Sequence, residues 1–178
     1  MRPLEKWIWL SKEQYPDSQI TFFHPDVCPE TEREEKGHYT VAEFRKTYRF
    51  YKKVKSAQLR FSGDTEFDVW LNGSLLATGP VNVGGDFLLN NDRCLSQHYA
   101  TAITVYPESK NLEFYARVKL MPVWLNEYSK GHGGFMLTAH LIFEDGTMEV
   151  INTDRSWKAR KNRQYAAPFR FDGTVVPD

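Results

Sequence analysis

Between Ala57 and Pro80 the chain reads AQLRFSGDTEFDVWLNGSLLATGP, which few folds besides an antiparallel sheet can accommodate. Successive side chains of an extended strand point to opposite faces. Leu59, Phe61, Phe67, Val69 and Leu71 all fall on odd positions and therefore share one face. Arg60, Ser62, Glu66 and Asp68 take the other, giving the apolar-in, polar-out alternation of a sheet with one solvated side. Asn72-Gly73 supplies two residues that tolerate positive φ in a tight hairpin. Ser74 to Thr78 is then expected to return as the partner strand, with Gly79-Pro80 stopping it.

Similar punctuation recurs along the chain. Trp7-Ile8-Trp9-Leu10 reads as a short aromatic strand or anchor, and Tyr39 to Tyr51 as a strand with Phe44, Tyr48 and Phe50 on its apolar side. Further strands are expected at Ala102 to Tyr106, at Leu112 to Leu120 and at Phe135 to Phe143. Asp145-Gly146 makes a second hairpin turn, after which Thr147 to Ile151 returns and Trp157 closes the region. Residues 11 to 38 are polar and acidic with three prolines, the composition of a long irregular excursion, and residues 81 to 98 read as a loop. Eight or nine strands without an amphipathic helix predict an all-β fold, an antiparallel β-sandwich or jelly roll. A length of 178 residues suits one such domain.

Composition narrows the function classes. Lysine and arginine number 23 and aspartate and glutamate 23, so no global field draws in nucleic acid or an anionic membrane. The basic run Arg155, Lys158, Arg160, Lys161 and Arg163 reads as a solvated segment end. No apolar run approaches the ~20 residues of a membrane span. The N-terminus lacks the apolar region of a signal peptide, so a cytoplasmic location is the expectation. Cys28 and Cys94 read as free thiols, a disulfide remaining open. The histidines are too scattered for a zinc site, and no cofactor is expected. Asp86 to Asp92 holds oxygen donors for calcium without the spacing of a known loop.

Catalytic constellations are weak. Asp64, Glu66 and Asp68, two residues apart, would project from one face of a strand, but nothing apolar alternates with them there, and a solvated acidic edge is expected. Glu32, Glu34 and Glu35 read as solvated too. Ser96-Gln97-His98 and Ser129-Lys130-Gly131-His132 lack a nucleophile elbow, so no catalytic residues are assigned. The glycines at 131, 133 and 134 are expected to let the chain bend or approach a neighbouring backbone. Carbohydrate contact is the sharper positive reading, because sugar faces stack on flat aromatic rings and hydroxyls are read by polar side chains. The segment from Pro122 to His132 gathers such residues: Trp124 and Tyr128 as platforms, with Asn126, Glu127 and His132 as polar readers. An alternative stays open in which Trp124 and Tyr128 cover the core edge or face another domain. Trp7, Trp9 and Trp157 are assigned to the core or an interface, and Trp70 to an outward position that marks a contact surface.

The order of landmarks carries a family resemblance. Trp7-Ile8-Trp9 is followed by Phe44-Arg45-Lys46, the hairpin Leu71-Asn72-Gly73 with Gly79-Pro80, then Gly133-Gly134, Asp145-Gly146 and Thr153-Asp154-Arg155-Ser156-Trp157-Lys158. This series resembles the N-terminal β-sandwich domain of bacterial α-L-rhamnosidases and related glycoside hydrolases, from about Trp7 to Lys158. It departs from that pattern in residues 11 to 38 and at Ser109-Lys110-Asn111, where a glycine-containing turn is usual. The resemblance implies a non-catalytic accessory domain, with the catalytic carboxylates on a helical barrel C-terminal to it and a rhamnose-containing glycan as the carbohydrate. An independent carbohydrate-binding module and a small stand-alone hydrolase are the alternatives.

Overall fold

The computed structural model describes residues 7–11, 40–64, 66–79, 101–120 and 133–165. Eight strands lie among them: β1 (Thr40–Asp64), β2 (Glu66–Leu71), β3 (Ser74–Gly79), β4 (Thr101–Val105), β5 (Ser109–Leu120), β6 (Gly134–Phe143), β7 (Met148–Asn152) and β8 (Lys158–Lys161). All pairings are antiparallel, and the described residues contain no helix. The all-β expectation is met. Two details differ from it. The segments around Phe44 and Leu59, expected as separate strands, are one strand of 25 residues. Part of the basic run, Lys158–Lys161, forms β8 and pairs with β1 from Ala42 to Arg45, while Arg155, Lys158, Arg160 and Arg163 are exposed as the solvated reading expects. The β8 sequence KARK carries one apolar residue, too little alternation to announce a strand.

The length of β1 builds the architecture. Its first half pairs with β5 on one side and β8 on the other, and β5 pairs onward to β2 and β3. Its second half pairs with β4 and β6, and β6 pairs with β7. One strand therefore belongs to two layers, β3-β2-β5-β1-β8 and β4-β1-β6-β7. Core-facing residues of the first half are even-numbered: Ala42, Phe44 and Val54 are fully buried. Those of the second half, Ala57, Leu59 and Phe61, are odd-numbered and equally buried. Side chains alternate with period two, so this change of parity requires an irregularity in the strand. The register against β5 shifts between Arg49 and Val54, and against β6 between Val54 and Ser56.

The facing layers meet through aromatic rings. Phe44 of β1 stacks on Phe135 of β6 at 5.4 Å, and Phe61 of β1 meets Phe67 of β2 edge-on at 5.7 Å. Trp157 is buried between Phe114 and Phe135. Its indole N–H donates to the Tyr48 hydroxyl at 3.2 Å, and that hydroxyl donates to the Asn152 carbonyl at 3.2 Å. Trp9 packs against the same cluster, whereas Trp7 is 41% exposed.

Two turns repay attention because they orient the outer surface. Asn72 (φ 49°) and Gly73 (φ 82°) form the expected hairpin. Asn72 also ties that hairpin to β5: its side-chain oxygen accepts from the Glu113 amide at 2.8 Å, and its amide group donates to the Asn111 carbonyl at 3.2 Å. Ile8 exchanges two 2.9 Å backbone hydrogen bonds with Phe135, docking the opening Trp-Ile-Trp segment at the start of β6. A Cβ on Gly133 would stand 2.3 Å from the Trp9 ring, and one on Gly134 would stand 2.6 Å from the Trp7 ring. Gly133, at φ +84°, lets the chain bend as expected, and the close neighbours that the two glycines admit are indole rings.

Gly133→Ala forces both a ring clash and a strained backbone, since Gly133 has φ +84°. It should cost about 2 kcal/mol or more, measured as a lower midpoint in urea unfolding. Glu108 is the opposite case, a non-glycine residue held at φ 45° in the turn before β5. Glu108→Gly should raise stability by about 0.5–1 kcal/mol through relief of left-handed strain.

Candidate functional site

The outward face of the first layer carries the chemistry. Its side chains alternate with the core-facing ones: Glu43, itself buried by its neighbours, and Arg45 on β1, Asp68 and Trp70 on β2, Tyr115 and Arg117 on β5, Lys158 and Arg160 on β8. The strand register sorts them into two rows that cross the sheet. Asp68, Arg117, Glu43 and Arg160 are successive cross-strand partners, and so are Trp70, Tyr115, Arg45 and Lys158. Each row joins four segments distant in sequence.

The first row alternates in charge and is tied together by hydrogen bonds. Arg117 donates twice to Asp68, from Nε at 3.1 Å and from a terminal nitrogen at 2.7 Å, and its other terminal nitrogen donates to the Tyr165 hydroxyl at 3.0 Å. Asp68 also accepts from Thr78 at 2.8 Å. Arg160 donates to Glu43 at 2.5 Å and Asn162 does so at 2.8 Å, and Tyr115 donates its hydroxyl proton to the same carboxylate. Burial acts to raise the Glu43 pKa, but these hydrogen bonds and the Arg160 charge together hold the carboxyl below its ordinary value. Burial, the hydrogen bond to Glu43 and that residue's negative charge push the Tyr115 phenol up to about 12.

The second row is aromatic at one end and cationic at the other. Trp70 and Tyr115 are half-buried, with ring centroids 5.0 Å apart and planes inclined by 44°. The Arg117 guanidinium lies 5.6 Å from the Trp70 ring centroid and steadies it from the adjoining row. Arg45 pairs with Glu113 at 2.7 Å. Trp70, Tyr115, Arg45, Glu113 and Lys158 line an open groove of about 730 Å³ together with Glu43, Phe44, Gly73, Ala159 and Arg160, a size suited to a small ligand. A smaller hollow of about 170 Å³ lies beside it, between Asp68, Thr78, Arg117 and Lys119.

The carboxylates of the first row are ion-paired. A glycosidase needs a carboxyl whose pKa is raised so that it can serve as an acid, and Glu43 is displaced the other way. The acidic trio expected on one strand face is also divided. Asp64 ends β1 and is buried, whereas Glu66 and Asp68 lie on β2, paired with Lys119 at 3.4 Å and Arg117 at 2.7 Å. β2 runs between β3 and β5, so it is not an edge, and these carboxylates are ion-paired rather than merely solvated.

The sugar-reading residues expected from sequence, Trp124, Asn126, Glu127, Tyr128 and His132, lie outside the described residues, as do Cys28, Cys94 and the segment Asp86 to Asp92. The outward placement of Trp70 is found as expected. The sequence pattern assigns no binding role to Tyr115, Arg117, Glu43 or Arg45. The signal for the first two lay in the alternation of β5, where the buried set Leu112, Phe114, Ala116 and Val118 leaves 113, 115, 117 and 119 outside.

No family model matches the chain, and no curated protein does. Solved structures of the same fold do. A lectin of Pleurotus ostreatus in its apo form aligns with a TM-score of 0.57 at 19% identity, over 99% of this chain and 39% of its own. The lectin of that organism in complex with GalNAc aligns at 0.53 and 22% identity, over 86% of this chain and 35% of its own. The α-L-rhamnosidase of Dictyoglumus thermophilum aligns at 0.59 and 19% identity, over 91% of this chain but only 18% of its own. The chain thus spans well under half the length of each.

Removing the proton donor to Glu43 should be visible in pH dependence. Tyr115 has a folded pKa above its ordinary value of 10, so its contribution is complete below pH 10 and is lost as pH rises toward about 12. Tyr115→Phe should lack this alkaline loss of stability in thermal melts. Glu43 is displaced downward, so its contribution is present above pH 4.5 and is lost on acidification. Glu43→Gln should accordingly melt below the wild type at neutral pH and approach it in acid.

Proposed function

We propose that this chain is a carbohydrate-binding β-domain, serving as the non-catalytic accessory domain of a glycoside hydrolase of the α-L-rhamnosidase kind. The Trp70–Tyr115 pair at the groove carries this reading. Two half-exposed rings offer an apolar face to a sugar ring, and the polar groups beside them suit hydroxyl recognition. Support for the accessory role comes from the order of landmarks and from the small share of the rhamnosidase that the chain covers. On this reading a catalytic domain is the partner, and a rhamnose-containing glycan is the carbohydrate.

An independent carbohydrate-binding module is the second reading, favoured by the likeness to a lectin crystallised with GalNAc. Calorimetric titration of the chain with L-rhamnose, GalNAc and rhamnose-containing oligosaccharides tests the carbohydrate binding that both readings share. The expected outcome is saturable binding to at least one sugar, weakened about tenfold or more in Trp70→Ala through loss of the stacking face. Binding that survives Trp70→Ala but disappears in Trp124→Ala would move the site to the segment 122–132. No heat with any sugar would refute the proposal.

A further inference from the structure

We infer that the groove reads an acidic saccharide, with Lys158 recognising an anionic group beyond the sugar ring that stacks on Trp70 and Tyr115. This inference rests on the carbohydrate reading above and names its substrate class.

Charge placement carries it. The row from Asp68 to Arg160 alternates in sign and cancels. In the neighbouring row Arg45 and Lys158 stand directly opposite each other on adjacent strands. Like charges in that relation repel. Arg45 is relieved by Glu113 at 2.7 Å, whereas Lys158 is exposed and makes no ion pair with any described residue. The carboxylates of the groove are already engaged: Glu43 holds Arg160, Asn162 and the Tyr115 hydroxyl, and Glu113 holds Arg45. An anion entering the groove therefore meets the unmatched ammonium of Lys158, flanked by the Arg160 side chain, 76% of which is exposed.

Spacing fits the same ligand. Tyr115 and Lys158 are two strands apart in one row, a separation of roughly 10 Å. A saccharide stacked on the aromatic end thus extends toward the cation. Uronate carboxylates and sulfate esters share the required chemistry, a compact anion on a sugar ring.

The test is calorimetry of the whole chain with trigalacturonate, with neutral galactotriose of the same linkage, and with a monosulfated galactotriose. The expected result is about tenfold tighter binding of an acidic trisaccharide than of the neutral one at low salt, shrinking as salt is added. Lys158→Gln should reduce the acidic ligand to the neutral level, and Lys158→Arg should keep the preference. A carboxylate is the anion if trigalacturonate binds more tightly, and a sulfate ester if the order is reversed. Equal affinity for acidic and neutral ligands would overturn this inference while leaving carbohydrate binding intact. A preference that persists in Lys158→Gln would overturn it by placing the charge reader elsewhere. Absence of binding to all three would overturn this inference, while carbohydrate binding itself stands or falls with the titration against L-rhamnose, GalNAc and rhamnose-containing oligosaccharides.

Discussion

The structure depends on a single strand serving two sheets. β1 supplies Phe44 to one layer and Leu59 and Phe61 to the other, and the core closes because its apolar side chains turn inward in both halves. A straight 25-residue strand could not do this with the parity it has. Even-numbered residues face the core before Val54 and odd-numbered ones after Ser56, so the register irregularities between them convert one face into the other. Both layers then share one aromatic cluster, in which Phe135 contacts both Phe44 and Trp157.

The same strand sets the outer surface. Because Phe44 points inward, Glu43 and Arg45 must point outward, and they meet whatever β5 and β8 present opposite them. The outcome is two neighbouring rows of contrasting character. One is a self-compensated ladder of charges that stiffens the face. The other leaves two aromatic rings and two cations beside an open groove. Arg117 links them, holding Asp68 in its own row while lying over the Trp70 ring of the next.

The alternation of apolar residues made most strands legible. Leu59, Phe61, Phe67, Val69 and Leu71 are all buried as their odd positions require, and Asn72-Gly73 forms its turn for the backbone reason that picks it out in the sequence. β8 was not legible, because a short edge strand of basic residues gains its strand character from pairing with β1 rather than from its own pattern. Likewise, the continuity of β1 was hidden by its exposed middle, where Thr47, Arg49, Tyr51, Lys52 and Lys53 interrupt the apolar series. Trp70 was visible as an outward aromatic residue, but nothing local marked Tyr115 as its neighbour.

By itself, the sequence determined the fold class, the hairpin at Asn72-Gly73 and which side of each patterned strand is apolar, since these follow from backbone geometry and periodicity within a few residues. Only the tertiary structure decided that Trp70, Tyr115, Arg45 and Lys158 lie in one row and that Glu43 binds Arg160. Those relations depend on the register between strands separated by dozens of residues, where a slip of one position would turn every groove residue into the core.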